Sequence, residues 1–251
     1  IVVVLGRRAL PPVLCRSHAI WRLRDARRPT NAGLLEGVEI LTDPGTVVDA
    51  TYPAAVAAGN VETSQRLVDV ILGAFGEMLP GEVPAASAGT MNNLSFGGAH
   101  LGGGGEAFTH YETHGGGAGA GPRRGGAHAV QTHMTNTRIT DVEILERRYP
   151  VLVNTFALRQ GSGGEGKNKG GDGLVREFTF LKPLVANVLS ERRERNPRGL
   201  GGGHDGAKGR NLLKRKGSED FEVIGGKVSI NVDAGDVLRI ETPGGGGYGP
   251  K

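Results

Sequence analysis

Residues 159–180 read RQGSGGEGKNKGGDGLVREFTF, and this stretch decides between a loop that cradles phosphate and feeds a helix and a link between two strands. Gly161, Gly166 and Lys167 meet most of the phosphate-loop pattern G-x-x-x-x-G-K-[ST]. The pattern fails at the positions a nucleotide needs. Asn168 replaces the hydroxyl that would hold magnesium, and Gly170, Gly171 and Gly173 stand where a helix should begin and aim its N-terminus at phosphate. The stretch therefore predicts a glycine-rich connection running into a strand.

The same pattern continues outward. VLVNTFALR (151–159), LVREFTFL (174–181), LVANVLS (184–190), KVSINV (227–232) and DVLRIET (236–242) are β-type runs separated by Gly-rich links, which predicts a β-rich, largely antiparallel C-terminal half. Upstream, Leu67, Val68, Ile71, Leu72 and Phe75 recur at three- and four-residue spacing between Val61 and Leu79, with Asn60 placed as a cap and Pro80 just past the end. They predict one long helix with a buried face. A short second helix is expected from Thr140, with Thr140 and Glu143 as its capping box, Ile144 and Leu145 as its apolar side, and Pro150 enforcing its end. VEILT (38–42) and TVVDAT (46–51) flank Asp43-Pro44-Gly45 as a strand–turn–strand signal. The predicted class is α+β, with residues 1–29 an Arg-rich, poorly ordered leader and residues 30–251 the folded portion.

Composition narrows the options. The chain has 251 residues, 37% of them hydrophobic, enough for an ordinary core. Its 44 glycines are more than twice the usual share of ~7%, but they cluster between apolar runs without a three-residue period, which excludes collagen. Basic residues exceed acidic ones by only 30 to 26. Arg7, Arg8, Arg16, Arg22, Arg24, Arg27 and Arg28 supply that excess, so the basicity belongs to the N-terminal segment. Arg-Gly clusters such as GPRRGG hint at RNA, but at 5% aromatics there is little to stack on bases, and no nucleic-acid partner is expected. Cys15 is the single cysteine, so no intrachain disulfide forms and a reducing, cytoplasmic setting is expected. The longest apolar run, Ile1–Leu5, is far short of the ~20 residues that cross a bilayer.

Three further motifs carry chemistry or imitate it. HYETH places His110, Glu112 and His114 on one face of a strand; that is a plausible divalent-metal shell, although a solvated strand face is the safer reading. TPGGGGYG (242–249) can gather backbone N–H groups around an anion or pack as a loop against another chain or domain. In HMTNTRITDVEILE (133–146), Thr140 and Glu143 are explained by helix capping. His133, Thr135, Asn136, Thr137 and Arg138 are not, and they line either a substrate cleft or a buried hydrogen-bonded turn.

Read together, PAAVAAGNVETSQR (53–66), PAASAGTMNNLSFGG (84–98), YETHGGGAGAGP (111–122), HMTNTRITDVEILE, RQGSGGEGKNKGGDGLVRE (159–177) and TPGGGGYG resemble the hydantoinase B/oxoprolinase family, in order, from about Thr30 to Gly249. The resemblance is to the C-terminal portion only. It implies ATP-dependent work on amide or carbonyl substrates: opening 5-oxoproline to glutamate, opening hydantoins or, in some relatives, carboxylating ketones. A non-catalytic remnant that keeps only subunit contacts is the remaining alternative. The implied ATP site lies on a hydantoinase A type companion subunit or domain, any divalent metal has ligands upstream, an oligomer is expected, and this portion is not competent alone. Phosphorylating a lactam oxygen would make it a leaving group, and N–H groups of Gly-rich loops can stabilise the oxyanion formed on attack.

Position by position, the resemblance marks His133, Asn136 and Glu112 as catalytic and no residue as a metal ligand. His133 takes the proton-transfer role because imidazole is the side chain that titrates nearest neutrality. Asn60, Glu62, Thr63, Asn92, Asn93, Thr135, Thr137, Arg138, Arg176 and Arg192 are marked as substrate-binding. Arg176 and Arg192 either clamp a substrate carboxylate or form structural ion pairs.

Overall fold

The computed structural model describes residues 2–4, 39–98, 107–133 and 135–251. Most of the leader and the boundary at Thr30 lie outside the described residues. In chain order come β1 (Val2–Val4), β2 (Glu39–Leu41), a wide helical turn (Gly59–Thr63) running into α1 (Ser64–Met78), β3 (Asn93–Gly98) and β4 (Phe108–Thr113). Then follow α2 (Val142–Arg148), β5 (Val151–Arg159), β6 (Gly173–Phe180), β7 (Leu184–Leu189), β8 (Arg210–Lys214), β9 (Glu222–Ile224), β10 (Lys227–Val232) and β11 (Val237–Glu241). The class is α+β as the sequence predicts, with one long helix, one short helix and antiparallel sheets. Among the described residues, no helix is long and apolar enough to cross a membrane.

The strands form two sheets, ordered β10-β7-β3-β4 and β5-β6-β11-β8-β9, antiparallel throughout, while β1 and β2 pair in parallel apart from them. The two sheets share one core. Leu94 and Phe96 of β3 with Ala186 and Val188 of β7 meet Phe178 and Phe180 of β6 with Leu238 and Ile240 of β11, and α2 closes one side with Leu145. Strand alternation sets this arrangement: in β7, Leu184, Ala186 and Val188 point inward while Val185 and Asn187 face out. Phe96 meets Phe180 at 6.0 Å between ring centres and an interplanar angle of 83°, the edge-to-face geometry that ring quadrupoles favour.

Beside the sandwich lies a second unit built almost wholly of backbone. The glycine-rich segments around Gly117, Gly171 and Gly245 run as extended chains outside any sheet, bonded to one another. Gly117 N donates to Pro243 O at 2.9 Å, Gly171 N to Ala118 O at 2.9 Å and Gly245 N to Gly171 O at 2.8 Å. Chains approach so closely that a Cβ on Gly117 would strike the Gly171 carbonyl oxygen and the Gly245 nitrogen. Collagen solves the same crowding in the same way, with glycine wherever a chain faces its neighbours. This bundle accounts for many of the described glycines and for 159–180: residues 160–172 link β5 to β6 as predicted and thread the bundle on the way.

Three local readings are corrected. Asn60 does not cap the long helix; the turn opens after Ala58, whose φ is 64°, and Asn60 sits inside it, exposed, its carbonyl accepting from Ser64 Oγ at 2.8 Å. The second helix is capped by Asp141 rather than Thr140: Asp141 Oδ1 accepts from Glu143 N at 3.1 Å and Ile144 N at 3.2 Å, while the Thr140 carbonyl turns to Arg176. Asp141→Ala is expected to cost about 1 kcal/mol, read as a lower urea midpoint with unchanged slope. Finally, VEILT and TVVDAT do not pair: β2 pairs with β1, and Thr46 and Asp49 close on each other, tied to Thr42 by its hydroxyl bond to Asp49 Oδ2 at 2.7 Å.

Candidate functional site

The long helix buries more than its apolar face. Glu62, Gln65 and Asp69 follow one another at helical spacing and all turn inward, 5%, 1% and 7% exposed. Each anchors a partner far away in sequence. Glu62 Oε1 accepts from Met91 N at 2.8 Å and from Asn93 Nδ2 at 2.7 Å, and Gln65 Nε2 donates to the Thr132 carbonyl at 3.0 Å. Burial pushes the Glu62 carboxyl up, against lowering contributions from Met91 N, Thr90 and Asn93; Oε2 closes no bond of ordinary geometry among the described residues.

Asp69 is the hub of a charged group. Its Oδ1 lies 2.9 Å from His133 Nε2, and its Oδ2 accepts from Arg66 Nη1 at 2.8 Å and Arg192 Nη2 at 2.9 Å. Burial alone would raise this carboxyl, but the bond and charge of His133, then the charges of Arg192 and Arg66, outweigh it and hold the group below the usual carboxylate range. His133 and Arg192 both adopt left-handed backbone, φ 61° and 59°. Such conformations are rare for non-glycine residues and persist where surrounding structure dictates them. Here the dictating element is the shared carboxylate.

A second network runs through the sandwich. His110 and Glu112 share one face of β4 and His114 follows directly past its end, but all three are buried rather than solvated. His114 Nε2 lies 2.9 Å from Glu112 Oε1, and its Nδ1 lies 2.8 Å from the Asn92 carbonyl. Both partners offer the ring acceptor oxygens. Arg176 sets its Nε and Nη2 against the two Glu112 oxygens at 3.3 and 3.4 Å and gives Nη2 to the Thr140 carbonyl at 3.2 Å. Its guanidinium lies over Phe156, 4.6 Å from the ring centre. Burial would raise Glu112, but bonds from His110 and His114 and the charges of His114 and Arg176 overcome it and drive the carboxyl far below its ordinary range. A cation already occupies the place where HYETH would offer a metal its carboxylate.

The structure thus gathers most of the marked residues into two groups. Glu62, Asn92, Asn93, Glu112 and Arg176 belong to the sandwich network, where Asn92 Nδ2 donates to the His114 carbonyl at 3.0 Å and Asn93 Oδ1 accepts from the Tyr111 hydroxyl at 2.6 Å. His133 and Arg192 belong to the Asp69 group. His133, Thr135 and Asn136 line an open cleft of about 810 Å³, and Asn136 also borders a smaller one of about 360 Å³ with Thr137. Asn60, Thr63 and Arg138 join neither group by a side-chain bond; Asn60 and Arg138 are exposed. Asp69, Arg66 and Arg193 escaped the sequence reading, though the polar stripe 62-65-69 on an otherwise apolar helix was a usable signal. Arg193 is half-buried, its guanidinium pushed down to about 9 by desolvation, and it donates to Asn92 Oδ1 at 2.8 Å.

Many backbone donors of the described glycine loops are already taken. Gly163 N is taken by Asp172 Oδ1, Gly164 N by Gly245 O, Gly170 N by Gly164 O and Gly171 N by Ala118 O. The four N–H groups of Gly244–Gly247 are likewise taken, by Ala207, Gly171, Ala86 and His204 carbonyls. Among the described residues TPGGGGYG has no backbone donor left for an oxyanion, and it packs within its own chain.

Two solved structures share this antiparallel sandwich flanked by a glycine bundle. The ATP-dependent caprolactamase of Pseudomonas jessenii superposes with a TM-score of 0.76 at 24% identity, over 93% of this chain and 42% of that one. A nucleotide-free acetone carboxylase superposes with a TM-score of 0.69 at 18% identity, over 93% of this chain and 36% of that one. The chain belongs to the hydantoinase B/oxoprolinase family, whose model matches residues 11–251. It is 48% identical to the 5-oxoprolinase of Dictyostelium discoideum along its whole length, and spans 19% of that protein.

Proposed function

We propose that the chain is the C-terminal portion of an ATP-dependent cyclic-amide hydrolase that opens 5-oxoproline to glutamate. Its likeness to oxoprolinases supports the substrate, and the His133–Asp69 pair beside a polar cleft carries the chemistry. In its phosphate-loop-like segment the N–H groups of Gly163, Gly164, Gly170 and Gly171 are already bonded, and we assign the nucleotide to a hydantoinase A type companion.

The work left to these residues is proton transfer and positioning. Asp69 accepts from His133 Nε2 and fixes the ring, as a carboxylate orients the histidine of a hydrolytic triad. With the lactam oxygen phosphorylated from the companion's ATP, the imidazole takes a proton from water adding to the ring carbonyl carbon and returns it to the ring nitrogen as the C–N bond breaks; a second water would split the acyl phosphate so formed into glutamate and inorganic phosphate. Its side chain is only 4% exposed, so it serves a substrate seated directly on it. Thr135 and Asn136 supply hydrogen bonds at that contact, and Arg192, drawn to Asp69, holds the hub ionised.

The test measures 5-oxoproline-dependent release of ADP and glutamate by the protein that carries both this chain and its ATP-binding companion, with hydantoin and acetone plus bicarbonate assayed alongside. His133→Asn is expected to lower kcat by about 10²–10⁴ with little change in stability. Glutamate release within about tenfold of the parent would remove His133 from the mechanism. Turnover of hydantoin or acetone alone would replace the substrate.

A further inference from the structure

The charges around Asp69 do not balance on the side facing away from His133. A cleft of about 490 Å³ there is lined by Arg66, Arg192, Arg193, Arg195 and Lys227. The acids on its wall are Glu191, already 2.7 Å from Lys227 Nζ, and the exposed Glu194. Arg66 and Arg192 share a single oxygen of Asp69, and Arg192, its side chain 8% exposed, keeps a buried Nε–H without a partner among the described residues. Burial, and next the charge of Arg192, push the Arg66 guanidinium below its ordinary value. Cations crowded at the edge of the interior with donors to spare are stabilised by an anion that brings oxygens to them.

We propose that this cleft binds a small oxyanion, a carboxylate or a phosphate, between Arg192 and the outer pair Arg195 and Lys227. Guanidinium groups bind both oxyanions through paired N–H donors, so the wall itself does not choose between them. The site is separate from the cleft beside His133 and linked to it through Asp69, which bonds Arg66, Arg192 and His133: an anion there competes with Asp69 for the two arginines.

The intact protein is titrated calorimetrically at low ionic strength with inorganic phosphate and, separately, with glutarate. Saturable binding is expected for at least one of them at a Kd of about 1 mM or tighter, and the tighter of the two identifies the source of the oxyanion. Arg195→Glu combined with Lys227→Glu changes exposed positions outside the core and should weaken that binding more than about tenfold. Neither anion binding more tightly than about 10 mM, or the charge-reversed variant binding like the parent, overturns the proposal. No turnover enters this measurement, so it succeeds or fails apart from the hydrolase reading.

Discussion

Gly117→Ala is expected to destabilise the protein by more than about 3 kcal/mol, at or beyond the upper end of ordinary overpacking. A methyl at Gly117 meets the carbonyl oxygen of Gly171 and the nitrogen of Gly245, both backbone atoms of bonded chains, so no side chain can swing away to make room. Relief requires separating the segments, which breaks the bond from Gly245 N to Gly171 O and exposes groups that have no other partner. Gly73→Ala is the control. It sits exposed in α1 with nothing within 4 Å of the added carbon, and should gain about 0.5–1 kcal/mol from helix propensity. Urea unfolding of both variants checks the pair, and a Gly117→Ala midpoint matching the parent would show that the bundle is not packed as described.

Arg176→Met should cost about 3–5 kcal/mol, because it strands a buried carboxylate beside histidines that cannot replace a guanidinium. Arg176 is fully buried and its partner's side chain is 2% exposed, so water cannot screen the loss. The pH dependence has a definite sign. Glu112 titrates lower in the folded than in the unfolded state, so its contribution is complete above the ordinary carboxylate value and is lost as pH falls below it; Asp69 behaves alike. Glu62, raised by burial, acts oppositely, and its contribution is lost as pH rises through its folded value. The parent should therefore weaken steadily below about pH 4.5. In Arg176→Met the Glu112 carboxyl loses a lowering charge, so this acid-linked decline starts from a smaller plateau and spans a narrower pH range. Equal stability of variant and parent at neutral pH would mean that the pair is not desolvated.

What could be read directly from the chain was whatever neighbours in sequence decide. Period-two runs gave five strands, the 67-68-71-72-75 spacing gave α1, and the glycines after Lys167 ruled out a helix and with it the nucleotide loop. Short elements with mixed signals slipped. RNLLK and EVI were not read as strands, and Asp141 took the cap from Thr140 because two adjacent residues could each serve and only the course of the chain selects one.

Composition and local pattern by themselves determined the α+β class, the antiparallel half and the family resemblance, because strand alternation, helix period and breaker residues act over a few positions. Tertiary structure alone decided that Asp69 meets His133 across 64 residues and Arg192 across 123. It also decided that the glycine clusters pack against one another, and that HYETH closes on Arg176. Partners so distant are chosen by how the sheets and bundle stack, and burial then makes an unmatched charge or an extra methyl costly enough to hold each pairing in place.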